Sequence, residues 1–222
     1  MAEKLNQTFE IPLEQLEENI GQKINGNYLG YDLVVSPREL VRVDSLVVMN
    51  EEVFKSLIRN IPLRGTDYKL YAESKIQTYR REPKGFEIGQ TFALEEKILG
   101  IMQNLEGKLF GGNIGLSKMP AAQIYGRDSH ERNVLALYVP PIIEMHGNSA
   151  VLIDGIHRSY ICSSAGTTIN GVHINNVGAE LPFKPIRWKD CNLVSEKPPK
   201  NERYIDLDVS LFRDLTAIGI DG

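Results

Sequence analysis

The chain has 222 residues, 42% hydrophobic and 24% charged, which suits a self-sufficient core and is globular composition rather than that of a disordered chain. Its formal charge of −4 argues against a global electrostatic pull onto DNA or an anionic membrane, though it leaves room for a local basic groove. Two cysteines outside any CxxC pair, an N-terminus without an apolar leader and only a short apolar run at Val134 to Ile143 exclude a disulfide scaffold and predict a cytoplasmic protein with no membrane span.

Phe9 to Ile11 predicts a strand, and Pro12 to Ile20 a helix with Leu13, Leu16 and Ile20 on one face. Asn25, Gly26 and Asn27 mark a turn before a strand at Tyr31 to Val35. Ser36, Pro37 and Glu39 form a helix-start signature for a short helix through Val41. A strand at Ser45 to Met49 precedes an amphipathic helix over Glu51 to Asn60, and Tyr68 to Tyr71 is set to pair with Ile76 to Tyr79. Thr91 is the expected cap of a helix from Phe92 to about Leu105, closed by Gly107, Gly111 and Gly112.

That break divides the chain into an N-terminal α+β region, 1–105, and a second domain, 106–222. From Ala121 the order is strand, polar loop, strand, turn, helix, strand, and the tail ends in a helical turn or two over Ser210 to Ala217. The class is α+β, a mixed α/β pattern.

The stretch richest in chemistry runs from Val139 to Gly166. Gly147 and Asn148 join two strands as a hairpin, the second strand ends at Asp154, and a helix starts near His157 and stops at Gly166. A helix start presents unpaired N–H groups and the positive end of a dipole, and Gly155 lets backbone approach an anion with no Cβ in the way. Arg158, protonated His157 and the hydroxyl of Ser159 would add donors for phosphate oxygens. Asp154 would orient them, hold Mg²⁺ or act as a base. A capped, solvated corner is the alternative reading of the same residues.

Strand, turn, strand, then Asp154-Gly155-Ile156-His157-Arg158, then a helix ending Ala165-Gly166, resembles the ParB/sulfiredoxin-like superfamily over Val139 to Ile174. The resemblance implies a ParB/sulfiredoxin-like core with an elaborated N-terminal region. It also implies a nucleotide phosphate or phosphoester gripped at Gly155, His157 and Arg158, with ATP, ADP or CTP and Mg²⁺ as expected ligands. Sulfiredoxin chemistry needs a cysteine where this chain has Ile156, so that activity is excluded. Partition proteins carry Arg-Arg and a helix-turn-helix domain behind the box. The His157–Arg158 form is closer to the serine-kinase and DNA-modification branches.

Gly126 to Arg132 is a second polar cluster. Folded over the phosphate turn, it would supply Asp128, His130 or Glu131 as a base and Arg127 or Arg132 as a clamp; otherwise it is a solvated loop. Phe110 to Gly115 resembles a phosphate-cradling turn but lacks the Lys-Ser/Thr of a P-loop. The four histidines show no metal-ligand spacing, so no metal site is expected. Asn170 and Gly171 suggest a further hairpin.

Lys75 to Arg81 with Lys84, and Phe183 to Lys189, mix basic and aromatic residues. Such segments hold a single strand or guard a sheet edge, and the overall acidity favours the second role. The leading expectation is a nucleotide- or phosphate-ligand-binding protein with phosphoryl-transfer or phosphoester-cleaving capacity. Its rival is a nonenzymatic DNA-binding accessory protein linked to DNA modification or mobile-element defence, and a homodimer is compatible with either.

Overall fold

In the computed structural model, which describes residues 9–24, 30–103 and 115–220, the apolar runs sort into two five-stranded sheets and a two-stranded ribbon. In chain order the elements are β1 (Glu10–Pro12), α1 (Leu13–Ile20), β2 (Leu33–Val35), β3 (Arg42–Val48) and α2 (Glu51–Arg59). Next come β4 (Lys75–Arg81), β5 (Glu87–Ile88), β6 (Phe92–Leu94), α3 (Glu95–Ile101), β7 (Ala122–Arg127) and β8 (Asn133–Tyr138). The remainder are β9 (Ile142–His146), β10 (Ser149–Asp154), α4 (Ile156–Ser164), β11 (Ile169–Asn175) and β12 (Asn192–Val194). This is the α+β class expected from the patterning.

The first sheet runs β1-β2-β8-β7-β3 and the second β4-β11-β9-β10-β5. β8 explains why there are two cores. Its side chains alternate with period two, so Leu135 and Leu137 enter one hydrophobic cluster while Val134, Ala136 and Tyr138 enter the other. A strand buried on both faces needs a near-continuous apolar run, which Val134 to Val139 provides. Strands from 1–105 and from 106–222 share both sheets: β2 and β3 flank β8 and β7, and β4 and β5 flank β11 and β10. Among the described residues no helix is long and apolar enough to cross a membrane.

Three local expectations are corrected. Phe92–Leu94 is a strand rather than the first turn of a helix, because all three side chains are buried and pair in parallel with β12. The Thr91 hydroxyl therefore caps nothing and donates 2.6 Å to the Glu202 carbonyl. β11 passes unbroken through Asn170 and Gly171 and pairs along its length with β4. Gly171 is there for clearance, since a Cβ would sit 2.6 Å from Ile143 Cδ1 on the neighbouring strand. β4 accordingly does not pair with Tyr68 to Tyr71, where only an isolated Lys69–Pro62 bridge forms. The turn at Asn25 to Asn27, Gly107 and most of Phe110 to Gly115 lie outside the described residues.

Candidate functional site

β9 and β10 form the expected hairpin, with Gly147 in the left-handed region at φ 61°. The register slips between Leu152 and Asp154, so Ile153 is an extra residue that bends the strand end and re-aims Asp154. Gly155 follows at φ 90° and opens α4, whose Ser159 N–H donates 2.9 Å to its carbonyl. Arg158, one turn in, donates through Nη2 to Asp154 Oδ2 at 2.6 Å and through Nη1 to the Val139 carbonyl, with its guanidinium 5.3 Å from the Tyr138 ring centroid. Asp154 and Arg158 thus lock the helix start to the end of β8.

A cavity of about 670 Å³ opens over this helix start, with Asp154, Gly155, His157 and Arg158 in its wall. Cations reach it from the whole chain: Arg38 and Arg64, Lys97 of α3, Arg158 of α4, and Lys197, Arg203 and Arg213 of the tail. Three carboxylates, Glu96, Asp154 and Asp214, oppose these seven. Asp154 is taken by Arg158, and Arg213 is taken by a buried carboxylate outside the cavity wall, Glu144. Lys97 and Lys197 make no hydrogen bond or salt bridge with any described residue. Burial, then the charges of Arg38 and Lys197, push the Lys97 ammonium below its ordinary pKa. In a chain of net charge −4, such crowding of like charge has the character of an anion site.

His157 works differently from the expectation. Its Nε2 accepts from the Leu94 N–H at 3.1 Å, and burial followed by the charges of Lys97, Arg158, Arg38 and Lys197 lowers its pKa to about 4. The ring is neutral at physiological pH, and the Leu94 contact assigns its proton to Nδ1. It offers one neutral donor, not a cation, and has no lone pair left to serve as a base. Two further polar groups in the wall have no partner: the Tyr138 hydroxyl, on a side chain only 3% exposed, and Gln90 Oε1, whose amide is tied through Nε2 to the Tyr204 hydroxyl at 3.0 Å.

The remaining predicted residues lie elsewhere. Ser159 is fully buried beneath α4, its hydroxyl unpartnered and not part of the cavity wall. Arg127, Asp128, Glu131 and Arg132 sit at the opposite end of β8 from Tyr138, about 17 Å away by strand rise. That loop closes on itself. Although burial works against its charge, Asp128 stays ionised by accepting from the His130 and Arg132 N–H groups at 2.9 and 3.0 Å and from Arg132 Nε at 2.6 Å. Arg132 also pairs with Glu10, and Arg127 with Glu131 at 3.2 Å. Most of the polarity of this segment is spent within the turn and on Glu10, although Arg127 Nε is buried without a partner.

His157 and the fully buried His173, which is also lowered to about 4 by burial and then Arg81, make stability depend on pH. Unfolded histidines take up protons below about pH 6.5 while these two resist until about 4, so their contribution is complete above 6.5 and is lost as pH falls toward 4. The urea midpoint is expected to drop between pH 6.5 and 5, before most carboxylates titrate. His173→Phe, which keeps the stack on Tyr79, should flatten that decline; an unchanged slope would refute the assignment.

Arg38, Lys97, Lys197 and Arg203 carry no motif, and Lys97 is half-buried like Ile98, Gly100 and Ile101 of the same helix. No three metal-ligating side chains cluster among the described residues. Comparison of the chain with known family models, curated proteins and solved structures finds no match.

Proposed function

We propose that the cavity at the start of α4 binds a nucleotide or another phosphorylated small molecule. The observation that carries this reading is the convergence of Lys97 and Lys197, neither of which makes a hydrogen bond or salt bridge with any described residue, on the start of α4 beside His157 and Arg158. A doubly or triply charged anion relieves that repulsion while accepting from the first backbone N–H groups of α4 and from His157 Nδ1–H. A bare phosphate would leave most of about 670 Å³ empty, which is the volume range of a small-molecule pocket.

ATP, ADP and CTP are the ligands to test, with Mg²⁺ carried in on the phosphates. Phosphoryl transfer or phosphoester cleavage at this site would draw mainly on positioning and charge neutralisation. The base would then be Asp154, through the oxygen that Arg158 does not hold, because the one basic lone pair of His157 is taken by the Leu94 N–H.

Thermal-shift measurement with ATP, ADP, CTP and GTP, with and without Mg²⁺, tests the reading. A ligand present at 100 times its Kd stabilises by about 2.7 kcal/mol, a rise of roughly 5–10 °C for a chain of this size. Lys97→Glu should abolish the shift without lowering the unliganded melting temperature, since it relieves repulsion. No shift with any nucleotide at millimolar concentration would overturn the proposal.

A further inference from the structure

The two basic and aromatic segments, far apart in the chain, meet in space. A groove of about 560 Å³ lies at the opposite end of α4 from the cavity, at Ser163, and is lined by Lys84, Phe86, Arg187, Trp188 and Lys189. The Trp188 indole N–H donates 2.7 Å to the Pro83 carbonyl and so fastens the tail segment against the turn that carries Lys84. From Phe86 an aromatic ladder leads outward. Phe86 meets His173 edge-on at 5.9 Å, and His173 stacks at 3.6 Å on Tyr79, which is 41% exposed on the edge strand β4. Arg81 is two residues from Tyr79 and on the same face of that strand.

Arg81, Lys84, Arg187 and Lys189 form no salt bridge with any described residue, and Glu87 is the one carboxylate in the groove lining. Edge protection accounts for cations on β4, where they discourage pairing with another chain. It does not account for Lys84, Arg187 and Lys189, which lie off the strand and converge on one another. We infer that this face binds single-stranded nucleic acid, independently of sequence and independently of the cavity. Backbone phosphates would lie along Arg81, Lys84, Arg187 and Lys189, while bases stack on Tyr79 and against Trp188. A duplex keeps its base faces covered and cannot use the aromatic half of the surface.

Trp188 is the only tryptophan in the chain, so its emission reports on the groove directly. Titrating the full chain with an oligothymidylate of about 15 nucleotides at low salt should quench it saturably, and rising salt should weaken the binding. Replacing Lys84, Arg187 and Lys189 together by alanine should weaken binding at least tenfold. It should also flatten the salt dependence by about two logarithmic units per logarithmic unit of salt, since each lost single-strand contact accounts for roughly 0.7. Tyr79→Leu should weaken it as well, with the melting temperature confirming that both variants fold. Lys97→Glu should leave oligonucleotide binding intact, which separates this groove from the cavity. Absence of quenching at low salt, equal affinity for a blunt duplex, quenching by inorganic phosphate alone, or binding to phosphatidylserine vesicles but not to the oligonucleotide would each overturn the inference.

Discussion

Replacing Glu144 by alanine is expected to cost on the order of 3–5 kcal/mol, the usual consequence of breaking one half of a buried ion pair. Glu144 is wholly inaccessible to solvent and Arg213 is 4% exposed. The guanidinium grips the carboxylate at both oxygens, Nε to Oε1 and Nη2 to Oε2, each at 2.7 Å. The Tyr71 hydroxyl donates to Oε1, and His146 Nε2 lies 2.7 Å from Oε2. Burial alone would raise the pKa of this carboxyl. Its contacts with His146, Arg213 and Tyr71 outweigh that and hold it below the ordinary value. Removing the carboxylate leaves a buried cation with no counter-charge, held only by the Leu211 and Glu180 carbonyls, and a phenol that has lost its acceptor. A domain at the low end of ordinary stability, about 5 kcal/mol, would retain little.

Urea unfolding followed by circular dichroism measures this cost. Glu144→Gln should cost less than alanine, because the amide oxygen still accepts. The double variant Glu144→Leu, Arg213→Met should cost clearly less than the sum of its single changes, since no charge then remains buried. A single-variant loss below 1 kcal/mol would mean that water reaches the pair. The pair also bears on the cavity, because Arg213 belongs to the tail that carries Lys197 and Arg203 into its wall.

The hairpin and helix at β9, β10 and α4 were legible because each boundary is set locally. Gly147, Gly155 and Gly166 all occupy positive φ, and the apolar runs between them have the right lengths. The four residues at the helix start line one cavity for the same reason. The rest of the cavity was not legible. Arg38, Lys97 and Lys197 are unremarkable in their own segments, and only the sheet order, which interleaves the two halves of the chain, brings them together. The loop at Asp128 misled in the opposite direction. A short carboxylate capping its own turn and an arginine reaching back to it have the same composition as a catalytic cluster. Gly171 misled because turn chemistry and clearance for Ile143 both call for glycine.

Gly155→Ala is expected to destabilise by about 2–4 kcal/mol and to disable the cavity, and Gly147→Ala provides its control. Both glycines have positive φ, which costs an L-residue roughly 1–2 kcal/mol. At Gly147 that is the whole cost, since a Cβ there meets nothing within 4 Å. At Gly155 the new carbon would lie 2.8 Å from Cβ and Cγ of Pro141 and 3.0 Å from Arg158 Nη2. Pro141 has no rotamer to escape into and sits in the joint between β8 and β9, so the proline ring or the guanidinium must move. If Arg158 yields, it leaves both Asp154 and the Val139 carbonyl, and the helix start loses its lock on β8. Nucleotide-induced stabilisation should therefore vanish in Gly155→Ala and persist in Gly147→Ala. Equal losses of stability in the two variants would show that the close approach of Pro141 and Arg158 to the helix start does not exist in solution.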